Sequence, residues 1–467
     1  MDGLVGLADP VAWASSQFGA AELGDVRRTR RLAAVAAQMA GNSSGTIPQQ
    51  TGSAAAMKAA YRLFDTDEVT HAAVIGPHLE QTRVLAAGAS VVFLLQDTME
   101  LNLTGHRACE GLGPIGSGGV LRGLHQQNVL AADPLTRRPV GLMYQKHHRR
   151  KERGKGHTRV KQRNVPLDQR ESYWWVGAIK AIGPPPEGVR WVHVGDRGED
   201  IFGVYEQARC NNADWLIRSA RDRSVTASAG TGHLFEYARS LPAAGKRKLT
   251  TRRKQTGGPV EANLSVAFGE VGLRPVKYER EYRDLEPIRC SVVRVWETDP
   301  PKGVAPLEWM LLTSLECTSP EQALRIAEGY ALRWLIEEFH KCEKTGCQVQ
   351  ERRLQHVDRL EPLLGLLSVL AVWLLTLKYV ARDHPDQPAA ASAENRMVHL
   401  MARSLGKRAD TLTIGELWRG IGRLGGHPGR KGDGPVGWLR AWRGWQNFQL
   451  ILFGAGLASP AEARECG

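Results

Sequence analysis

Residues 330–344 read YALRWLIEEFHKCEK, and the rest of the chain is interpreted outward from this segment. Tyr330, Arg333, Glu337 and Lys344 follow one another at spacings of three, four and seven residues. An α-helix turns about 100° per residue, which would place the four side chains within about 60° of one another along about 21 Å of one face. One carboxylate, two cations and a phenol suit a metal ion and a phosphodiester, although a solvated helix face is the alternative interpretation.

Composition narrows the class of protein. The chain has 467 residues, enough for two or three domains. It carries 62 basic and 49 acidic residues, a net charge of +13, which favours a polyanionic partner. Because no amphipathic or lipidation signal accompanies the charge, we expect nucleic acid rather than a membrane.

Cysteine usage and hydropathy favour a cytoplasmic protein. The seven cysteines include no CxxC pair, which argues against a zinc site and indicates reduced thiols. The N-terminus lacks the pattern of a secretory signal. The apolar run at residues 362–377 is short for a membrane span, and we expect a buried helix there.

Three helical segments are predicted within the first 87 residues. Periodic segments occupy residues 11–40, 54–64 and 71–87, and a polar break separates the first two. They predict a small basic N-terminal domain that ends near residue 75. Its first segment carries a cluster of four arginines: Arg27, Arg28, Arg30 and Arg31.

Strands are predicted in the middle of the chain. Residues 91–95 form an apolar run that ends near Asp97, and residues 190–194 form a second run that ends at Asp196. Residues 214–315 alternate in short runs broken by Gly and Pro, which is typical of antiparallel strands. Beyond residue 385 the chain is predicted to be helical again. There Trp438, Trp442 and Trp445 share one face, which more often belongs to a core than to an interface.

The order strand–Asp97, strand–Asp196, helix–Glu337 suggests a nuclease-type site. Adjacent strand ends would bring the two aspartates together, and a helix across the sheet would add Glu337. Three clustered carboxylates repel one another unless cations neutralise them, and hard oxygen ligands suit magnesium or manganese. The interval of 141 residues between Asp196 and Glu337 is long enough for an insertion, which the β-rich segment would supply.

A densely basic segment at residues 145–163 has two open interpretations. It carries nine lysine and arginine residues and is either a solvated loop or a loop that binds phosphate.

At these motifs the chain resembles bacterial DDE cut-and-paste transposases of the insertion-sequence group. Their signature, Tyr, two residues, Arg, three residues, Glu, six residues, Lys, matches Tyr330, Arg333, Glu337 and Lys344 without a gap. The two other acidic motifs match at LLQDT, with Asp97, and at GDRGED, with Asp196. Where the family has DREAD, this chain has DRGED, so any role of the middle glutamate is not carried over. The similarity extends to both ends of the chain, but not to the basic segment.

The resemblance implies an α/β fold with a ribonuclease-H-like catalytic core and a β-strand insertion, flanked by helical domains. The implied boundaries are 1–75 for a DNA-end-binding domain and 76–385 for the catalytic domain, with the insertion at about 220–315. Residues 386–467 would form a C-terminal dimerisation domain.

The resemblance also implies a mechanism. Asp97, Asp196 and Glu337 would be the catalytic residues and would hold Mg²⁺, for which Mn²⁺ may substitute. The enzyme would bind terminal inverted repeats, nick the DNA, form a hairpin at the transposon end, and join the 3′ ends to target DNA. Trp309 would stack on a base flipped out of the bent end, although a core tryptophan is the alternative.

Further DNA contacts follow from the same resemblance. Tyr330, Arg333 and Lys344 would hold phosphates, and Arg353 aligns with another DNA-contact position. The arginine cluster at residues 27–31 would bind the terminal repeat, unless it forms an exposed salt-bridging face. The implied partner besides double-stranded DNA is a second copy of the chain in a synaptic homodimer, located in the cytoplasm with the nucleoid.

Two other functions remain open from the sequence. A non-catalytic relative would occupy DNA ends and inhibit transposition, and a ribonuclease-H-like nuclease would cut DNA without transposing it. The terminal repeat, the target preference and the activity of this copy are not encoded in any motif.

Overall fold

The computed structural model describes residues 10–151, 165–227, 230–252, 259–277, 279–300, 303–391, 393–430 and 433–457. It is a mixed α/β structure with helices at its N-terminal and C-terminal ends and one mixed β-sheet between them.

From residue 10, where the described part of the chain begins, five helices form the N-terminal region: α1 (Pro10–Phe18), α2 (Val26–Gly41), α3 (Ile47–Thr51), α4 (Ala54–Phe64) and α5 (His71–Ala87). The three segments predicted as helical are therefore confirmed, with the first divided in two. Asp25 begins α2 by accepting a hydrogen bond from the backbone of Arg27, and Ser53 and Thr70 cap α4 and α5 in the same way. The apolar faces of these helices join the main core, where Trp13 stacks on Trp373.

Among the described residues, twelve strands form the sheet. Their bounds are β1 (Val91–Asn102), β2 (Gly113–Ile115), β3 (Leu121–Asp133), β4 (Arg138–His148), β5 (Arg190–Gly195), β6 (Asp214–Arg218), β7 (Ser224–Ala227), β8 (Gly230–His233), β9 (Gly245–Arg252), β10 (Pro259–Leu273), β11 (Ile288–Glu297) and β12 (Glu308–Thr313). The spatial order is β2-β3-β1-β5-β6-β12-β11-β10-β7-β8, with β4 beside β3 and β9 beside β10. The strands β1, β5 and β6 are parallel neighbours, and the pairings outside this trio are antiparallel.

The first catalytic candidate is not at a strand end. The apolar run predicts a strand that stops near Asp97, but β1 continues to Asn102 because β3 pairs with it along its whole second half. What ends near Asp97 is the parallel pairing with β5, whose last pair is Leu95 with Val194. Asp97 therefore lies just beyond the last residue of β1 that pairs with β5, but still within β1.

The predicted antiparallel strands are confirmed in the segment that follows. Strands β7 to β12 do not form a separate sheet, since β12 pairs antiparallel with β6 and extends the central sheet. Three helices accompany this part of the sheet: α6 (Tyr173–Ile182), α7 (Phe202–Cys210) and α8 (Leu234–Ser240). Their apolar faces and the strands make a second core around Tyr205 and Phe202.

The segment at residues 330–344 is not one regular helix, and the prediction of a single stripe is wrong in this respect. Tyr330 lies in α9 (Pro320–Ala331), and Glu337 lies in α10 (Trp334–Lys341). Between them, backbone hydrogen bonds from Leu332, Arg333, Leu335 and Ile336 reach back three residues, which tightens the turn. Beyond α10, residues Cys342–Gly346 widen into a π-turn that carries Lys344.

A long buried helix packs behind this segment. Helix α11 (Val357–Asp383) contains the apolar run, and the expected buried helix is confirmed. Among the described residues, this helix alone is long and apolar enough to cross a membrane, and 78% of its most apolar window is buried inside the protein. The C-terminal helices are α12 (Asn395–Ser404), α13 (Ile414–Leu424) and α14 (Trp438–Leu457). Trp442 of α14 is buried against Gly346, so at least this member of the tryptophan face belongs to the core.

Candidate active site

Asp97 and Asp196 lie on adjacent parallel strands. Asp97 is two residues beyond the last pair between β1 and β5, and Asp196 directly follows β5. Asp196 begins the short 3₁₀ turn Arg197–Glu199 and accepts a hydrogen bond of 2.6 Å from the backbone N–H of Gly198. Because β1 and β5 are parallel, the two aspartates lie at the same end of their paired segments.

Glu337 is linked to Asp97 through the side chain of Arg333. The Nη2 atom of Arg333 donates to Oε1 of Glu337 at 2.6 Å, and its Nη1 atom lies 3.7 Å from Oδ2 of Asp97. The guanidinium is largely buried, so these charges attract one another more strongly than they would in water. Arg333 is thus a bridge between the strand that carries Asp97 and the helix that carries Glu337.

Electrostatics at the site favour a bound cation. The pKa of Asp97 is raised to about 6, mainly by burial and then by the charge of Asp196, while the backbone N–H of Thr98 and the charge of Arg333 act in the opposite direction. Glu337 also contributes to the raised pKa of Asp97. The three acidic residues therefore interact electrostatically, and one arginine does not neutralise them fully.

The aromatic candidates lie next to the same arginine. The rings of Trp309 and Tyr330 meet edge to face with centroids 5.2 Å apart. Tyr330 is buried, whereas Trp309 is only half-buried at the edge of the core. A half-buried indole keeps part of its surface available for contact, which a purely core tryptophan would not.

Arg218 is a candidate that the sequence analysis missed. It ends β6, donates to the backbone carbonyl of Glu308 at 3.0 Å, and also hydrogen-bonds the side chain of Tyr330. Burial lowers the pKa of Arg218, and the positive charges of Arg197 and Arg333 lower it as well. Several cations close together favour an anionic ligand. No sequence motif marks Arg218, which meets Tyr330 only because α9 packs against β6.

The two acids of GDRGED beyond Asp196 differ in their surroundings. Asp200 is fully hydrogen-bonded, accepting from Tyr205 at 2.6 Å and from Ser219 at 2.9 Å, and it also pairs with Arg223. Glu199 is completely buried, and neither of its carboxylate oxygens has a hydrogen-bond partner among the described residues.

The remaining phosphate candidates are not in contact with the acidic residues in the described part of the structure. Lys344 is half-buried in the π-turn, and Arg353 is exposed beyond it. The neighbouring Arg352 is buried instead and donates to the carbonyl oxygens of Ser43 and Cys347 at 2.7 and 2.6 Å. Arg352 therefore ties the N-terminal helices to the segment after α10.

The N-terminal arginines divide into two pairs. Arg27 binds Asp25 at 2.7 Å, and Arg28 binds Glu68 at 3.0 Å, so these two form the salt-bridging face that was the alternative interpretation. Arg30 and Arg31 are exposed, and no carboxylate partner is found for them among the described residues. The second pair is thus the more available for a polyanion.

A metal ion would suit the acidic residues chemically. Carboxylate oxygens are the ligands that magnesium and manganese prefer, and the raised pKa of Asp97 reflects charge that a cation would neutralise. Among the described residues, however, no three His, Cys, Asp or Glu side chains come close enough to form a metal site as they stand. The donors fit the ion in type, and the arginine bridge occupies part of the space between them.

One cleft lies away from the acidic residues. A cleft of about 650 Å³ is lined by Arg190, Asp214 and Trp215, at the start of β5 and β6 and so at the opposite end of these strands from Asp196. A substrate as large as a DNA duplex requires an open surface rather than such a cavity. Most of the basic segment at residues 145–163 lies outside the described residues, which reach only Lys151.

One comparison with known proteins bears on the N-terminal helices. Residues 10–69 match a protein-family model described as Transposase DNA-binding. The matched segment contains α1 to α4 and the arginine cluster. It supports a DNA-binding transposase, with DNA as a partner.

Proposed function

We propose that this chain is a DDE transposase that binds terminal inverted repeats, cleaves the transposon ends and joins the 3′ ends to target DNA. The observation that carries the proposal is that Arg333 bridges Asp97 and Glu337, while Asp196 lies close enough to Asp97 for its charge to raise the pKa of Asp97. The match of residues 10–69 to a transposase DNA-binding family supports it independently.

The proposed catalytic core is ribonuclease-H-like and spans residues 76–385. The mixed sheet, with β1, β5 and β6 parallel and β3 and β4 antiparallel, is compatible with such a core. Strands β7 to β12 would be the insertion at about 220–315. Residues 1–75 would bind the DNA end, and residues 386–467 would pair two protomers in a synaptic complex.

Asp97, Asp196 and Glu337 would hold magnesium, or manganese in its place. When bound, such ions activate a water molecule and stabilise the leaving oxygen of the phosphodiester. The residues of the chain have separate tasks. Arg333 orients Asp97 and Glu337, and its fixed planar fork also suits a phosphate oxygen.

Tyr330, Arg218 and Arg333 form the proposed phosphate-binding surface beside the carboxylates, with Lys344 as a further point charge. Trp309, against Tyr330, would receive a base flipped out of the bent transposon end. Stacking on a half-buried indole would offset part of the unfavourable energy of a tight hairpin.

The test uses the full-length protein and linear DNA that carries the sequences flanking its coding region. With Mg²⁺, we expect a nick at the transposon end and then a hairpin, both resolved on a denaturing gel. The control variant Asp196→Asn keeps the acceptor for the Gly198 N–H and should bind the same DNA without cutting it. Binding without nicking by the wild type would favour an end-binding inhibitor, and nicking without hairpins would favour a nuclease.

A further inference from the structure

Asn128 lies beside the proposed catalytic residues on the same face of the sheet. It is the β3 residue directly opposite Asp97 in the antiparallel pairing of β1 with β3. Side chains paired in this way project from the same face, with Cβ atoms about 4.5 to 5.5 Å apart. Asn128 is completely buried. Asp97 therefore has a buried amide as its immediate neighbour across the strands.

The side chain of Asn128 reaches α10. Its Nδ2 atom lies 3.0 Å from Nε2 of His340, and both side chains are buried. His340 follows Glu337 by three residues in α10, so the two occupy neighbouring positions on one face of the helix. The hydrogen bond therefore joins β3, at the level of Asp97, to α10, at the level of Glu337.

The direction of this hydrogen bond follows from the other contacts of Asn128. Its Oδ1 atom accepts from Nε2 of Gln145 at 2.7 Å and from Nε2 of Gln126 at 3.2 Å. Since the amide oxygen faces these two donors, Nδ2 donates to His340, and Nε2 of the imidazole is the acceptor. His340 is then neutral, with its proton on Nδ1. The pKa of His340 is lowered to about 3, mainly by burial, which agrees with a neutral ring.

A buried network holds Asn128 in this orientation. Gln145 also donates to Ser368 of α11 at 2.9 Å, and Gln126 also donates to Glu343 at 2.7 Å. Ser368 in turn donates to the same oxygen of Glu343 at 2.6 Å. Each glutamine thus uses both of its N–H groups. A flipped Asn128 amide would place its NH2 group against those of both glutamines, so the network permits only one orientation.

Two links of different kinds now connect α10 to the sheet near the acidic residues. Arg333 connects Glu337 to Asp97 through charge, and a bound cation would compete for the same two carboxylates. The hydrogen bond between Asn128 and His340 uses neither carboxylate. It can therefore keep α10 in place when a cation replaces the contacts of the guanidinium.

We propose that Asn128 and His340 are positioning residues for DNA cleavage, whose hydrogen bond fixes the location of Glu337 relative to Asp97. The proposal rests on the proposed function, because it concerns the same carboxylates. Neither residue acts on DNA directly. A cation shared by carboxylates of β1 and α10 needs both within coordination distance. A displacement of about 1 Å can reduce an enzymatic rate about a hundredfold, so a link between the two elements matters for the reaction.

The test compares two substitutions of His340 in the full-length protein with transposon-end DNA and Mg²⁺. His340→Leu fills a similar space without an acceptor and should lower the single-turnover nicking rate at saturating DNA by about tenfold to a hundredfold. The dissociation constant for the same DNA should be unchanged, and the Mg²⁺ concentration that gives half of the maximal rate should rise. His340→Gln offers an amide oxygen to Asn128 and should recover most of the rate.

His78→Leu is the matched control. His78 is also a buried histidine that joins a helix to the sheet, since its Nε2 atom accepts from the backbone N–H of Leu142 at 3.0 Å. Burial lowers its pKa to about 4. His78→Leu should lower the unfolding temperature, but the folded variant should nick DNA at the wild-type rate. An equal loss of rate in His78→Leu and His340→Leu would indicate a general effect of a lost buried hydrogen bond and would overturn the proposal.

A second variant decides the outcome if His340→Leu does not fold. Asn128→Ala removes the donor on β3, and its nicking rate should fall by a similar factor. The double variant should be no slower than either single variant, because the same hydrogen bond is lost in each. A wild-type rate in either folded single variant, or no recovery in His340→Gln, would overturn the proposal while leaving the proposed function intact. A wild-type protein that binds end DNA without nicking it would overturn both.

Discussion

Arg333 and Glu337 form an ion pair of 2.6 Å across the start of α10, and the same guanidinium lies 3.7 Å from Asp97. Through this guanidinium, α10 is joined to β1, which is distant in the sequence, and the two like charges of Asp97 and Glu337 are kept at one site. Its geometry leads to the first of five predictions.

Replacing Arg333 by alanine should reduce DNA nicking by about tenfold or more, because Asp97 and Glu337 would lose their shared cation. Arg333→Lys keeps the charge but not the planar fork that reaches both carboxylates, and should give an intermediate rate. Single-turnover nicking rates at saturating DNA measure the effect. A wild-type rate in Arg333→Ala would contradict the bridging role.

Glu337→Gln should abolish nicking while leaving DNA-end binding unchanged. The amide oxygen can still accept from Arg333, so the local structure should persist, whereas the negative charge that a cation requires is lost. Gel-shift binding and nicking are measured on the same preparation. Retained cleavage would remove Glu337 from the catalytic residues.

Trp309→Ala should block hairpin formation more strongly than the first nick, because stacking of a flipped base matters only once the end is bent. Trp309→Phe retains an aromatic face and the contact with Tyr330 and should preserve most hairpins. The ratio of hairpin to nicked product is the measurement. Equal loss of both products in Trp309→Ala would indicate a core role instead.

Arg30→Ala and Arg31→Ala should weaken end binding more than Arg27→Ala, because Arg27 is already held by Asp25. The slope of log K against log salt concentration is negative, and each lost phosphate contact should reduce its magnitude by about 1. Binding is measured by fluorescence anisotropy at several salt concentrations. An unchanged slope in Arg30→Ala and Arg31→Ala would assign the exposed pair to solvent.

Glu343 should make stability depend on pH. Burial raises the pKa of Glu343 from an ordinary value of 4.5 to about 7, although Ser368 and Gln126 donate to it at 2.6 and 2.7 Å. A raised pKa in the folded state means that its stabilising contribution is complete below pH 4.5 and is lost as the pH rises through 7. At about 1.4 kcal/mol per pKa unit, the loss is about 3 kcal/mol.

Glu343→Gln should remove this pH dependence, since the amide stays neutral and keeps an oxygen acceptor. Urea unfolding at pH 5 and pH 8 measures the change, and the exposed Glu316→Gln is the control. The same difference between the two pH values in wild type and Glu343→Gln would contradict the assignment.

Local patterns predicted the elements well. Helices α4 and α5 match the predicted segments, and the apolar run at residues 190–194 marked strand β5. Such runs depend on neighbouring residues only, so the sequence contains the whole signal. Two predicted boundaries were wrong, and in both places the structure has contacts between distant segments. Pairing with β3 extends β1 past Asp97, and the break from regular helix within residues 330–344 lies where the chain packs on α11.

By itself, the sequence predicted the candidate catalytic residues: Asp97, Asp196, Glu337 and the signature around them. Residue type and spacing are local properties, and they indicated an acidic site in a basic chain before any contact was known. The tertiary structure decided which other groups meet at that site. Arg218 reaches Tyr330 only through the packing of α9 on β6, and burial against Gly195 leaves Glu199 without a hydrogen-bond partner among the described residues. Burial and contacts between distant segments depend on packing of the whole chain, which no single stretch of residues encodes.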